Sequence, residues 1–347
     1  METIPLGYRI SSHRLWDQVS ILIQKSLSCD SLKNYHTGIR RLREFIVECN
    51  PDLSIPLRDP DWAIFYAWLM ERVKPDTANN YLSHIAFMLE CNGYVRPNWK
   101  ALPLLARTKI GARKSIKAIR KQKQPVTYEL ATRIMSTIKI HPHTVTVLSG
   151  FLLFVVILLV GLAGWMRLGE LLPQDPKKTH PEKIIRRGSF TFFQEAGMDT
   201  YMRLWLFRSK GDTFNEGVPL FIPANIENPT LCPVAWTRAL LRVTQSPNSL
   251  PTDPVFVFPN GALVTKRNFI KWLRTRLQVL QIDPSFYSGH SLRIGAAVSA
   301  ARREIAESVI QKCGRWRSDT YLRYIKYIPA DMQILRNLIS QMRSIRA

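Results

Sequence analysis

The sequence predicts a mainly α protein with a small antiparallel β-sheet, divided into a helical N-terminal domain and a larger C-terminal domain. Three observations predict it. Apolar residues recur at helical spacing through residues 12–100 and again after residue 230. Two alternating or apolar runs, 201–207 and 217–222, flank the turn signature Arg208-Ser209-Lys210-Gly211-Asp212. Between the two halves runs a stretch of cations without an acid. Domains are expected at 1–106 (helical), 107–125 (basic linker) and 126–347, and 347 residues are enough for two cores.

In chain order, Leu15, Val19, Leu22 and Ile23, then Tyr35, Ile39, Leu42, Phe45 and Ile46, mark the first helices. Two more are expected at 62–71 and 76–91, the second opened by Lys74-Pro75-Asp76-Thr77 and closed by Asn92-Gly93. Together they read as a bundle of about four or five helices. The basic run follows, with Arg107, Lys109, Arg113, Lys114, Lys117, Arg120, Lys121 and Lys123, and Gln124-Pro125 ends it. A charge run of this kind is usually a solvated linker. Between two basic domains it also suits a chain that wraps a duplex and touches phosphates on both sides, and it matches a nuclear import signal.

Thr127, with Glu129 near it, partly caps the helix that opens the second domain. Residues 144–166 carry no charge, include the apolar run 151–160, and as a whole segment qualify by length and composition as a membrane-span candidate. Ser149, Gly150, Gly161 and Gly164 within it, and Arg167 and Glu170 directly after it, favour instead a helix buried on all sides in a globular core. Strands are expected at 188–195, 201–207 and 217–222. Helices return at 233–243, 265–280, 290–303, 305–313, 319–327 and 331–342. In the last, Met332, Leu335, Leu338, Ile339 and Met342 form an apolar stripe that suits docking on a neighbouring subunit as well as packing in cis.

Forty-nine Lys and Arg against 26 Asp and Glu leave a net charge of +23, spread over the whole chain. A field of that sign draws a polyanion, nucleic acid before an anionic membrane, in association that weakens as salt rises. Cys29, Cys49, Cys91, Cys232 and Cys313 are scattered and lack any CxxC. That argues against a disulfide framework and a zinc site of the usual spacing, and a reducing compartment is the simpler reading. No metal or other cofactor is implied. Residues 1–10 lack the apolar stretch of a signal peptide.

Near the C-terminus stand Gly289-His290-Ser291-Leu292-Arg293 and, after a helix-length gap, Gly314-Arg315-Trp316 with Tyr321, Tyr324 and Tyr327 beyond. His290 and Arg293 lie one turn apart at a helix start, where backbone N–H groups and the dipole favour phosphate. Cleaving a phosphodiester through a protein hydroxyl needs a nucleophile, cations to hold charge on the pentacoordinate phosphorus, and a proton for the leaving 5′ oxygen. Arginine suits the second role, because its planar fork makes two hydrogen bonds to phosphate oxygens. The indole N–H of Trp316 can add one more.

Taken together, Met166-Arg167-Leu168-Gly169-Glu170, Lys210 in its turn, His290 with Arg293, Gly314-Arg315-Trp316 and the following tyrosines resemble the tyrosine recombinase (phage-integrase-like) family over residues 126–330. The wording of 289–297 and 314–319 looks most like the recombinases of eukaryotic mobile elements of the Crypton and DIRS kind. The resemblance implies a helical core-binding domain followed by a tyrosine-recombinase catalytic domain. It further implies site-specific recombination of double-stranded DNA through a 3′-phosphotyrosine, without metal or ATP, by up to four protomers on a four-way junction, in the nucleus. Position by position, Arg167 and Arg293 match the phosphate clamps, and Glu170 the acid that positions its neighbours. Lys210 matches the lysine that protonates the leaving oxygen, and His290 a phosphate ligand or proton-transfer group. Trp316 matches a phosphate donor and Tyr324 the nucleophile. Tyr324 stands eight residues after Trp316, where nine is the commoner spacing, so Tyr321 and Tyr327 remain alternatives. A catalytically silent DNA-binding protein derived from such an element and a type IB topoisomerase-like enzyme compete with this reading. The intact residue set counts against the first, and the wording around His290 against the second.

Overall fold

The computed structural model describes residues 13–27, 29–49, 51–115, 123–147, 149–207, 212, 214 and 216–325. The chain forms two compact units, Met1–Arg120 and Lys121–Ala347. It is mainly helical with one three-stranded antiparallel sheet, the class expected.

The first unit holds α1 (His13–Lys25), α2 (Cys29–Cys49), α3 (Asp59–Met70), α4 (Pro75–Cys91) and α5 (Pro103–Ser115). Helix α2 packs on α4 and α3 on α5, around a core that includes Leu42, Phe45, Trp62, Phe65, Tyr66, Leu82, Ile85 and Leu105. The apolar stripe of α1 departs from the expected bundle: Leu15, Val19 and Leu22 are exposed. Helical periodicity makes a helix amphipathic without saying what covers it. The basic stretch also begins differently. Residues 107–115 continue α5, anchored by fully buried Leu105. Its first turn is capped from another helix, because the Asp59 carboxylate accepts from the N–H groups of Leu104 (2.9 Å) and Leu105 (3.0 Å). The two units divide after Arg120, and residues 116–122 lie outside the described residues.

The second unit opens with α6 (Tyr128–Ser136), whose cap Thr127 accepts from Leu130 N–H at 3.3 Å. Helix α7 (Gly150–Ala163) carries the uncharged run, and Leu152–Leu162 are all buried. At 14 residues it spans about 21 Å, short of a hydrocarbon core of about 30 Å. Among the described residues no helix is long and apolar enough to cross a membrane. It packs instead against α9 (Pro233–Val243), α10 (Lys266–Val279) and α11 (Ser291–Ala301). The short α8 (Leu168–Leu171) follows it directly.

Strands β1 (Phe190–Glu195), β2 (Met198–Leu206) and β3 (Val218–Pro223) form the sheet in that order, with Phe190 opposite Leu204 and Met202 opposite Ile222. The period-2 alternation sends Met202, Leu204, Leu206, Leu220 and Ile222 into the core. Phe193 stacks on Tyr201 on the other face. Helices α12 (Glu307–Cys313) and α13 (Leu322–Ile325) follow and are the last among the described residues. The end expected as one helix at 319–327 is a 3₁₀ turn, Asp319–Tyr321, followed by α13. Tyr327 and the apolar stripe at 331–342 lie outside the described residues.

Candidate active site

Two helix ends build the centre of the site. Helix α7 stops at Gly164, and Trp165 turns left-handed (φ 53°). Trp165 N–H donates to Leu162 O (3.2 Å) and Met166 N–H to Gly161 O (2.9 Å), the Schellman pattern. Helix α12 ends the same way at Gly314, with Arg315 left-handed (φ 54°), Arg315 N–H on Lys312 O (3.0 Å) and Trp316 N–H on Gln311 O (3.1 Å). Glycine is the usual occupant of that left-handed position. Here a tryptophan and an arginine occupy it, and their side chains meet the same site.

Glu170 lies between the two turns, its side chain 4% exposed. Its carboxylate accepts from Arg167 N–H (3.0 Å), Arg167 Nη1 (2.9 Å) and Arg315 Nη2 (2.7 Å). Arg315 Nη1 donates to Gly164 O at 3.2 Å, so one side chain ties the α12 turn to the α7 turn. Arg293 makes a second tie. Its Nη1 donates to Trp165 O (3.3 Å) and its Nη2 to Gly314 O, and the side chain is only 3% exposed. Burial, then repulsion from Arg167 and Arg315, lowers the Arg293 pKa to about 10, with Glu170 and Tyr324 acting the other way. Burial also lowers Arg315, against the pull of Glu170. With its pKa at about 10, Arg293 remains a cation at neutral pH. Two guanidinium groups thus hold one carboxylate while a third, Arg293, lies close enough to be repelled by both, a net positive pocket suited to phosphate.

Trp316 covers this pocket, with the Arg293 guanidinium 4.4 Å from its ring centroid. It also meets Trp165 edge-on at 6.2 Å. The ring crosses over Gly314, where a Cβ would fall 1.5 Å from Trp316 Cζ3, so the Gly-x-Trp spacing is a packing requirement. In the same way Gly295 lets α11 close on Val126, since a Cβ there would lie 1.8 Å from Val126 O. That contact, with Val126 N–H on Ser291 O at 2.9 Å, seats the helix that carries Arg293.

Tyr324 lies half-buried on α13, its ring 6.0 Å from Trp316 and packed by Ile294 and Val298. Tyr321 is buried, and burial, with Glu307 and Asp319 beside it, raises its pKa, the wrong direction for a nucleophile. His290 is the N-cap residue of α11 and is exposed. Lys210 lies outside the described residues. The structure therefore gathers Arg167, Glu170, Arg293, Trp316 and Tyr324 from three stretches of chain. An open cleft of about 480 Å³ adjoins them, lined by Arg315, Trp316, Ser308, Gln311, Lys312 and Arg317.

Arg315 is the residue that sequence reasoning missed. It stands within the Gly-x-Trp motif, and no periodicity signals that a left-handed helix end aims it at Glu170. Lys266 was missed too: a Cβ on Gly169 would fall 2.8 Å from its Nζ, so a further cation lies against the Arg167–Glu170 turn. Among the described residues no group of three or more His, Cys, Asp or Glu side chains stands together as a metal site.

The basic stretch divides by exposure. Arg107, Arg113 and Lys114 are exposed on α5. Lys109 is half-buried, its ammonium 4.9 Å from the Trp99 ring and 5.8 Å from Tyr66, and burial lowers its pKa. Lys123 is exposed and donates to Ser285 O at 3.0 Å. Lys117, Arg120 and Lys121 lie outside the described residues.

The fold is similar to that of solved integrases. The Tn1549 transposon integrase in complex with transposon right end DNA superposes with a TM-score of 0.54 at 14% identity, over 95% of this chain and 99% of that one. The same integrase with a circular intermediate DNA gives 0.52 at 14%, over 95% and 98%. A lambda integrase tetramer bound to a Holliday junction gives 0.50 at 13%, over 89% and 78%. At such identities the likeness is one of fold. No protein-family profile and no curated protein sequence matches the chain.

Proposed function

We propose that the chain is a site-specific DNA recombinase that cleaves and rejoins strands through a tyrosine. The observation that carries this reading is the pairing of Arg167 and Arg315 on one buried carboxylate beside buried Arg293, with Trp316 on Arg293 and Tyr324 on Trp316. The integrase fold and the charge of +23 support it.

In this reading the Tyr324 hydroxyl attacks the scissile phosphorus. The P–O bond to tyrosine forms, and the bond to the 5′ oxygen breaks. The phenol proton leaves with His290 in the transfer role, and Lys210 protonates the departing 5′ oxygen, both as the family resemblance implies. Arg167 and the field of Arg293 stabilise the charge that develops on the phosphoryl oxygens. The free 5′ hydroxyl of a partner strand then reverses the chemistry, so the ester conserves the bond and ATP is not consumed. We further propose double-stranded DNA as substrate, assembly of two to four protomers on it, origin in a mobile element of the Crypton or DIRS kind, and action in the nucleus.

One observation favours the catalytically silent alternative. Both Nη groups of Arg293 are held by backbone carbonyls, so a phosphate must displace one of them to be clamped directly. A covalent trap separates the two readings. Protein is incubated with nicked suicide duplexes in EDTA and run on a denaturing gel. Catalysis predicts a protein–DNA adduct that Tyr324→Phe abolishes. Salt-sensitive binding without an adduct on any duplex would establish the silent reading.

A further inference from the structure

We infer that Arg315 is a positioning residue, which holds the phosphate clamp Arg167 in its working geometry through the Glu170 carboxylate. The inference rests on the recombinase reading. Glu170 divides its two oxygens: Oε1 takes Arg167 Nη1 at 2.9 Å, and Oε2 takes Arg167 N–H at 3.0 Å and Arg315 Nη2 at 2.7 Å. A guanidinium beside an unshared carboxylate tends to close on both oxygens, because its fork matches the carboxylate. By occupying Oε2, Arg315 keeps the Arg167 side chain on one oxygen and leaves donors of its fork for the scissile phosphate.

Arg315 is itself committed elsewhere. Its side chain is 19% exposed, one Nη bonds Glu170 and the other bonds Gly164 O. It also occupies the left-handed position after α12, where glycine is at ease and a side chain carries a conformational cost. The ion pair explains why an arginine stands there. The α7 turn, the Arg167–Glu170 turn and the α12 turn that presents Trp316 are thereby locked as one unit.

Two variants test this. Arg315→Gly removes the side chain while the backbone position favours glycine, so the turn is retained. Arg315→Lys keeps a charge on Oε2 and gives up the Gly164 bond. For each, the adduct-forming rate constant at saturating nicked duplex, the Kd for that duplex and the Tm are measured. A clamp displaced by about 1 Å costs on the order of 100-fold in rate, so Arg315→Gly should slow cleavage by that factor with Kd changed less than about threefold. Arg315→Lys should recover about tenfold of the loss, since it restores the charge at Oε2 without the planar fork. An unchanged rate constant in Arg315→Gly overturns the inference. So does a rate loss matched by equal loss of binding or explained by unfolding at the assay temperature. If Arg315→Gly fails to fold, Arg315→Lys decides: slower cleavage with Kd retained supports the inference, and an unchanged rate overturns it. A wild-type protein that forms no adduct on these duplexes overturns the recombinase reading, and this inference falls with it.

Discussion

Removal of the Glu170 carboxylate is the perturbation whose size the structure sets most directly. Its side chain is 4% exposed and accepts three hydrogen bonds, two of them from guanidinium groups. Deleting one partner of a buried ion pair costs about 3–5 kcal/mol, because the other charge is left uncompensated. In Glu170→Ala the uncompensated charges are Arg167 and Arg315, with Arg293 close enough to both to be shifted by them. We therefore expect a loss of about 4 kcal/mol. At about 2–4 °C per kcal/mol for a domain of 150–250 residues, the transition of the second unit should fall by about 8–16 °C. Glu170→Gln keeps the shape and one acceptor and should lose less. Urea unfolding at fixed salt measures both, with an unchanged m-value confirming that the unfolded state is the same. Raising the salt should restore part of the Glu170→Ala loss, since it screens repulsion among the arginines. A loss below about 1 kcal/mol, the range of an exposed pair, would refute the argument that this carboxylate organises the site.

Other perturbations give separate tests. Gly314→Ala places a methyl 1.5 Å from the Trp316 ring; the ring should leave Arg293, at a cost of about 1–3 kcal/mol, with altered near-UV circular dichroism and slower adduct formation. Lys109→Ala should destabilise the first unit by about 1 kcal/mol through lost cation–π contact and leave the salt dependence of DNA binding unchanged. Arg113→Ala, at an exposed position, should reduce the salt slope by about one. Tyr321→Phe should keep the adduct. Because the folded-state pKa of Tyr321 is raised above 10.0, the unfolded chain releases its proton first. Tyr321 thus lowers stability as pH rises above that value, and the phenylalanine variant should gain relative to wild type there. Arg293 acts with the opposite sign: its folded-state pKa of about 10 lies below the ordinary guanidinium value, so its contribution rises with pH between the two.

Much of the fold is legible in the sequence because burial imposes a period. The uncharged run 151–160 had to be buried somewhere, and the adjoining Arg167 and Glu170 placed it in a folded core, as α7 shows. Alternation along 201–207 and 217–222 likewise marks β2 and β3 before any coordinates. For the candidate site, phosphate chemistry names the residue types to look for, and the family resemblance supplies the positions proposed for them. What escapes is long-range and conformational. Asp59 caps α5 from 45 residues away in sequence, so a basic stretch with little apolar content is a helix as far as Ser115. Lys109 folds onto Trp99, which no local pattern announces. The left-handed φ of Trp165 and Arg315 sits at positions where sequence rules look for glycine.

The central claim is that Tyr324 forms the covalent link to DNA, and one measurement addresses it without inference. Trypsin cuts after Arg317, Arg323 and Lys326, so Tyr321, Tyr324 and Tyr327 fall in three different peptides. The trapped adduct is digested with nuclease and trypsin, and the peptides are read by mass spectrometry. A nucleotide esterified through its 3′-phosphate is expected on the peptide of residues 324–326 and on neither neighbour. The same mass on the peptide of Tyr321 or Tyr327, or on one without a tyrosine, would contradict it.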